Sequence, residues 1–229
     1  VLMIPDLSTL KKLPWNKEPT AQVICDLYSN SGSPSLVAPR QVLNKIIKLL
    51  KDNGLKAVVA PELEFYLCEK NLDPNIPLLT PVGKSGRRAN GSDVFGIDSV
   101  NEFDIFLDDI YDYCEMLDIG VDTLVHESGP SQIEINLNHG DPLKLADQTF
   151  MFKRAVRQVA LKHNIHATFM AKPHQGQPGS SMHIHQNLVS YKDDKNIFID
   201  LEGKETNSFY NYIGGLQEYL PDAMVFFAP

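Results

Sequence analysis

The chain predicts an α+β fold, a mostly antiparallel sheet flanked by helices, and three observations carry this. Strand-like runs come in adjacent pairs rather than in strict alternation with helices, which disfavours a parallel, doubly wound sheet. Three of those strands place polar residues at every second position of an otherwise apolar stretch, the pattern of a sheet with one covered and one open face. The composition is that of a folded protein: of 229 residues 43% are apolar and 22% charged, which excludes a disordered chain.

The elements follow in order. Residues 1–38 read as irregular, punctuated by Pro5, Pro14, Pro19 and Pro34, with a single strand at Ala21–Tyr28. Pro39 opens a helix to about Asp52, with Val42, Leu43, Ile46, Ile47, Leu49 and Leu50 on its apolar face and Asn53-Gly54 as its stop. Leu55–Cys68 reads as a strand. Residues 71–101 form a long loop that includes Ser85-Gly86-Arg87-Arg88-Ala89-Asn90-Gly91, and a loop of that length is mobile or functional. Glu102–Leu117 is a helix by its spacing of Phe103, Phe106, Ile110, Tyr113 and Leu117. Val121–Glu127 and Ser131–Asn138 form a hairpin-like pair around Ser128-Gly129-Pro130, and a helix then runs from Asp141 to about His163. Strands are expected at Ile165–Lys172 and Ser180–Ser190, then a helix at Asn207–Phe226, broken or kinked near Pro221. The missing initiator Met and the apolar end Phe226-Phe227-Ala228-Pro229 lead us to expect a piece of a longer protein.

Charge narrows the function. Lys and Arg number 21 against 29 Asp and Glu, a formal net charge of −8, which argues against nucleic-acid binding. No apolar run approaches the ~20 residues of a membrane span. Cys25, Cys68 and Cys114 are scattered and form no CxxC pair, so they read as reduced thiols of a cytoplasmic protein. His126, His139, His163, His166 and His174 show no partner pattern and read as surface or satisfied histidines, and Lys84, Arg87 and Arg88 as a solvated loop.

The chemistry concentrates on the alternating strands. Side chains two apart on a strand share a face. Glu62 and Glu64, Gln132, Glu134 and Asn136, and His183 and His185 therefore each mark one face, with Glu127 just before the hairpin turn. A wet sheet face explains any one strand. Taken together, Glu62, Glu64, Glu127, Glu134, His183 and His185 have no Lys or Arg among them. Carboxylates brought together without a cation repel, so such a face needs bound metal or protonation. Oxygen-rich ligation with an imidazole suits Mg²⁺ or Mn²⁺ better than structural zinc. Residues two apart lie ~6.6 Å apart along a strand, a spacing that suits two neighbouring ions. Two hard cations beside a glycine-bearing loop (Gly176, Gly179) suggest phosphoryl transfer.

Four segments carry a resemblance: Pro61-Glu62-Leu63-Glu64-Phe65-Tyr66, His126-Glu127-Ser128-Gly129-Pro130-Ser131-Gln132-Ile133-Glu134, Phe169-Met170-Ala171-Lys172-Pro173 and Gly179-Ser180-Ser181-Met182-His183-Ile184-His185. In order and spacing they resemble the catalytic domain of the glutamine synthetase family, from about Ala21 to the end, with Pro178 before Gly179 closer to the gamma-glutamylpolyamine synthetase branch. The resemblance implies a glutamine synthetase/guanido kinase-like catalytic domain, truncated, over residues 21–229. Residues 1–20 would then be the remnant of an N-terminal β-grasp domain or a linker. It implies ATP-dependent ligation of glutamate to ammonia or an amine through gamma-glutamyl phosphate, with two or more Mg²⁺ or Mn²⁺ ions. By the resemblance, Glu64, Glu127 and Glu134 match the ligands of the glutamate-side metal, and Glu62 and His183 those of the nucleotide-side metal. His185, Asn187 and Asp122 match ATP-binding positions, and Gly179 a glutamate-binding one.

The segment Pro178-Gly179-Ser180-Ser181 departs from the family's usual Asn-Gly-Ser-Gly, and Ser181 in place of glycine is expected to narrow the loop. The resemblance also implies later arginines and one further carboxylate ligand not found in this chain. The chain alone would hold most of a metal cage but no complete active site. Its partners would be small molecules, without nucleic acid or membrane, and the full-length protein a homo-oligomeric ring. The alternatives are a gamma-glutamylpolyamine synthetase rather than the ammonia-using enzyme, a non-catalytic structural relative, or an unrelated metal-dependent phosphotransferase.

Overall fold

In a computed structural model, residues 1–89 and 93–227 are described. The Asn90-Gly91 part of the expected loop and the Ala228-Pro229 end lie outside them. The chain runs β1 (Leu2–Lys12), β2 (Ala21–Tyr28), α1 (Pro39–Asp52), β3 (Leu55–Glu69), α2 (Ile97–Asn101), α3 (Asp104–Met116), β4 (Val121–His126), β5 (Gln132–Leu137), α4 (Pro142–Lys162), β6 (Ile165–Thr168), β7 (Met182–Ser190) and α5 (Asn207–Phe227). Every strand pairing among the described residues is antiparallel, in agreement with the expected fold class.

The first correction is at the start of the chain. Residues 2–12, expected to be irregular, form β1, which pairs with β2 from Leu2↔Tyr28 to Lys12↔Ala21. Pro5 had counted against a strand. In a two-stranded ribbon it sits on an edge, where its missing N–H costs nothing to a further neighbour. A bulge between Asp6 and Lys11 also removes the strict alternation that would have marked the strand.

The main sheet is organised by β3. One side of it pairs with β5, from Glu62↔Asn136 to Tyr66↔Gln132. The other side pairs with β7 over its first half, from Leu55↔Ser190 to Leu63↔Met182, and with β6 over its second half, from Tyr66↔Thr168 to Glu69↔Ile165. β4 closes the β5 edge. Leu63, Phe65 and Leu67 of β3 and Ile133, Ile135 and Leu137 of β5 share the buried face, each at 2% exposure or less. Phe106, Leu107 and Ile110 of α3 and Phe152, Ala155, Val156 and Val159 of α4 pack over them. Each large side chain so buried contributes about 1.5–3 kcal/mol. With the helices on that face, the even-numbered positions of β3 and β5 are left on the opposite one.

Local chemistry sets the helix ends. Asp141 caps α4 by accepting from the N–H groups of Leu143 and Lys144, both at 3.0 Å, and Pro142 fills the first turn. The expected helix from Glu102 is divided: α2 lies within the expected loop, and the chain breaks at Phe103, φ −125°, before α3. Phe103 is buried at this break. β6 stops at Thr168, short of Lys172, because residues 171–180 leave the sheet and close on themselves through Ser180 N–H to Ala171 O (2.9 Å). α5 runs through Pro221 without interruption.

Candidate metal centre

The open face of the sheet is where the polar alternation meets. Across β3, Glu62 faces Asn136 on one side and His183 on the other, and Glu64 faces Glu134. Ala60 faces His185. Cross-strand partners point the same way, so these residues share one surface. One ligand atom each of Glu62, Glu134 and His183 lie within 4.8 Å of one another.

Glu62 is held by both imidazoles: its carboxylate meets His185 Nε2 at 2.5 Å and His183 Nδ1 at 3.2 Å. The His185 hydrogen bond, against the opposing cost of burial, keeps the Glu62 carboxyl below its usual range. Glu134 moves the other way. Burial raises its pKa, and the charges of Glu62, Glu127 and Glu64 add to the effect, while a hydrogen bond from Asn136 Nδ2 (3.2 Å) opposes it. Among the described residues, no lysine or arginine pairs with Glu62, Glu64, Glu127 or Glu134. A half-buried acidic face without a protein cation, offering two carboxylates and an imidazole, fits a hard divalent ion.

The other expected residues are placed as follows. Glu64 is 8% exposed and turned to Ser181, whose N–H donates to Oε2 at 3.2 Å and whose hydroxyl donates to Oε1. Glu127 follows β4, where its N–H donates to Gln132 O (2.9 Å) and its carboxylate accepts from Ser128 N–H at 3.3 Å. Gly179 O accepts from Gln132 Nε2 at 3.0 Å, and a Cβ at Gly179 would stand 2.7 Å from Ala171 O, so the loop closes only on glycine there. Asn187 faces Val58, about 13 Å along β7 from His183. Asp122 is exposed at the irregularity between Val121 and Thr123 of β4.

Gln132 and Ser181, visible in the sequence only as a polar position on the alternating face and as a narrower loop, and Tyr66, which carries no such mark, also build the site. Gln132 is buried; its Oε1 accepts from Gly129 N–H (2.9 Å) and its Nε2 donates to Glu64 Oε2 (2.9 Å) and to Gly179 O. Tyr66 donates to Pro178 O at 2.8 Å, which ties β3 to the same loop. Gln132 does lie on the alternating face, and that was the one available signal. Of the background residues, His163 pairs with Asp109 (2.5 Å), Lys84 with Asp104 and Arg88 with Glu69, whereas His126 is buried with no partner for Nδ1 among the described residues.

Fold and site together define a two-layer α+β domain with a carboxylate–imidazole face. The profile of "Glutamine synthetase, catalytic domain" matches residues 36–229. The chain therefore belongs to the glutamine synthetase family. It is 36% identical to the gamma-glutamylputrescine synthetase PuuA of Escherichia coli, covering 99% of this chain and 48% of that protein. It is 33% identical to the glutamate–isopropylamine ligase of a Pseudomonas species (94% and 47% covered) and 34% identical to the glutamine synthetase of Pyrococcus horikoshii (93% and 45% covered). The solved structure of GmaS without ligand superposes with a TM-score of 0.81 at 25% identity, covering 96% of this chain and 50% of that one. The chain thus spans about half the length of the curated relatives it matches. No helix among the described residues is long and apolar enough to cross a membrane.

Proposed function

We propose that the full-length protein joins the side-chain carboxylate of glutamate to a primary amine at the expense of ATP, through gamma-glutamyl phosphate. The observation that carries the reading is the convergence of Glu62, Glu134 and His183 on the open face of β3, β5 and β7. On this proposal Glu62 and His183 hold an ion at the nucleotide phosphates, and Glu64, Glu127 and Glu134 hold one at the glutamate side. When bound, the ions supply charge neutralisation for the transferred phosphoryl group. The protein's own part is positional. His185 fixes the Glu62 carboxylate and reaches toward the phosphates, the Gly179 backbone contacts glutamate, and Asp122 and Asn187 serve the nucleotide.

An alkylamine is the proposed acceptor because two relatives are named for putrescine and isopropylamine ligation. Ammonia is the second reading, favoured by the 34% identity to a glutamine synthetase. We further propose that residues 1–20 are the end of a β-grasp domain or a linker, that residues 21–229 are part of the catalytic domain, and that the full-length protein is a cytoplasmic homo-oligomeric ring. The test is phosphate release by the full-length protein with ATP, Mg²⁺ or Mn²⁺, glutamate and, in turn, putrescine, spermidine, ethanolamine, isopropylamine and ammonia. Turnover with an alkylamine well above ammonia is expected. Turnover with none of them overturns the ligase reading in favour of a non-catalytic relative.

A further inference from the structure

The covered side of the sheet holds polar groups that the metal reading leaves unused. Val125↔Glu134 and His126↔Ile133 are successive pairs of the β4–β5 ladder, so His126 lies on the opposite side from Glu134. It is 2% exposed, and its Nδ1 has no hydrogen-bond partner among the described residues. Buried polar atoms are nearly always paired, so this one marks a place where something further binds. His126 lines a cavity of about 300 Å³ together with Arg87, Ser99, Glu102 and Phe103.

The cavity carries a charge of each sign, and the two are not paired. Arg87 sits on a hairpin closed by Gly83 N–H to Arg87 O (2.9 Å) and by the Val82↔Arg88 bridge. The hairpin is tied to Glu102: Lys84 N–H donates to its main-chain O (3.1 Å) and Ser85 N–H to its Oε2 (3.0 Å). Gly83 leaves room for that carboxylate, since a Cβ there would stand 2.1 Å from Oε2. Lys84 and Arg88 of the same hairpin are engaged by Asp104 and Glu69. Among the described residues, Arg87 has no carboxylate partner and Glu102 no basic one, although both line the same cavity.

We propose that this cavity binds a small zwitterion, an α-amino acid, with its carboxylate on the Arg87 guanidinium and its ammonium on Glu102. A simple anion would be opposed by Glu102, and a simple cation by Arg87; a ligand carrying both charges satisfies both walls. The His126 imidazole, which can donate or accept, adds a further hydrogen bond, and Phe103 supplies an apolar wall. A volume at the low end of ligand pockets suits a short side chain. The inference is independent of the ligase reading, because the cavity shares no side chain with the carboxylate–imidazole face.

The test is saturation-transfer NMR on the full-length protein, with excess chelator and no ATP. The probes are L-alanine, N-acetyl-L-alanine and L-alaninamide. L-Alanine should bind saturably. Each analogue lacks one of the two charges and should bind roughly ten- to hundredfold more weakly, the equivalent of one hydrogen bond to a charged group. Arg87→Met should weaken L-alanine by a similar factor and leave L-alaninamide unchanged. Glu102→Gln, which keeps an acceptor for Ser85 N–H, should weaken L-alanine and leave N-acetyl-L-alanine unchanged. L-Alanine binding that both variants leave intact places the amino acid elsewhere and overturns the proposal. Either analogue binding as tightly as L-alanine overturns the match of two charges. No saturable binding of L-alanine overturns the site, while metal binding and amine ligation stand or fall by their own tests.

Discussion

Tyr66 lies so close over Gly129 that a Cβ there would sit 1.8 Å from the phenol oxygen and 2.4 Å from Cζ. The two residues belong to the central strand and to the turn that leads into β5, and the contact locks that turn against β3. Gly129→Ala is expected to lower stability by about 1–3 kcal/mol, the usual cost of overpacking. Tyr66→Phe should cost about 1 kcal/mol for the hydrogen bond to Pro178 O, and it should not rescue the alanine, because Cζ remains in the way. Thermal melts of the two single variants and the double variant check this; an unshifted Gly129→Ala melt would disprove it. Burial, with the nearby Glu64 charge, raises Tyr66 to about 12, so the phenol stays a donor across the working pH range.

Arg40 is the hub of the N-terminal ribbon. Its guanidinium meets Asp6 at 2.5 Å, Asp26 at 2.7 Å and Asp147 at 3.1 Å, joining β1, β2 and α4. Arg40→Met should cost about 2–4 kcal/mol, since three partly shielded carboxylates lose their shared cation. Asp6 is held below the ordinary carboxyl range, first by the Ser8 hydroxyl and then by Arg40. Its contribution is therefore present above the unfolded value of 3.8 and is lost as pH falls through the lower folded value. Denaturant unfolding from pH 7 to 3 should show a smaller acid loss in Arg40→Met than in wild type; equal slopes would count against it.

The cation site should be proton-linked. Glu134 is raised by burial and by its acidic neighbours, so without an ion its ionised form opposes folding. That contribution is favourable below the unfolded value of 4.5 and is lost as pH rises through the raised folded value. Mn²⁺ should reverse the loss, stabilising the protein more at pH 7 than at pH 5. Calorimetry in buffers of different ionisation enthalpy should register proton release on binding. An ion-induced melting shift of equal size at both pH values would refute the linkage.

The thiols should react in order of access. Cys68 and Cys114 are each 1% exposed, and burial pushes them to about 11 and about 12. Cys25 on β2 is only partly covered. Iodoacetamide at pH 8 should modify Cys25 first, and the other two only on the timescale of unfolding. Mass spectrometry of digested time points reads this directly, and early labelling of Cys114 would contradict the packing of α3 on the sheet.

The sequence and the structure agree where a periodic signal was strong. Glu62/Glu64, Glu134/Asn136 and His183/His185 alternate cleanly, and period two alone assigns each pair to one face of its own strand; that the three faces coincide is set by the register. Asp141-Pro142 announced the start of α4. The signal failed where three-dimensional context decides. β1 is a strand because β2 lies beside it, and Pro5 hid it. The orientation of Glu64 depends on a loop returning from residue 181, and no spacing within residues 55–69 contains that information. Gln132 could be seen as polar on the right face, but its role as a clamp depends on two partners, Gly129 and Gly179, that are brought to it only by folding.

The central position of β3 has a consequence for biosynthesis. Glu62 leaves the ribosome 121 residues ahead of His183, its partner across the strand. Through that interval β5 can cover one edge of β3, while the edge reserved for β7 stays bare and Glu62 has no imidazole opposite. A nascent chain in this state exposes a strand edge suited to unwanted pairing. Lys56, Pro61 and Glu62, which lie along that edge, are the residues that would discourage one copy from docking on another during synthesis.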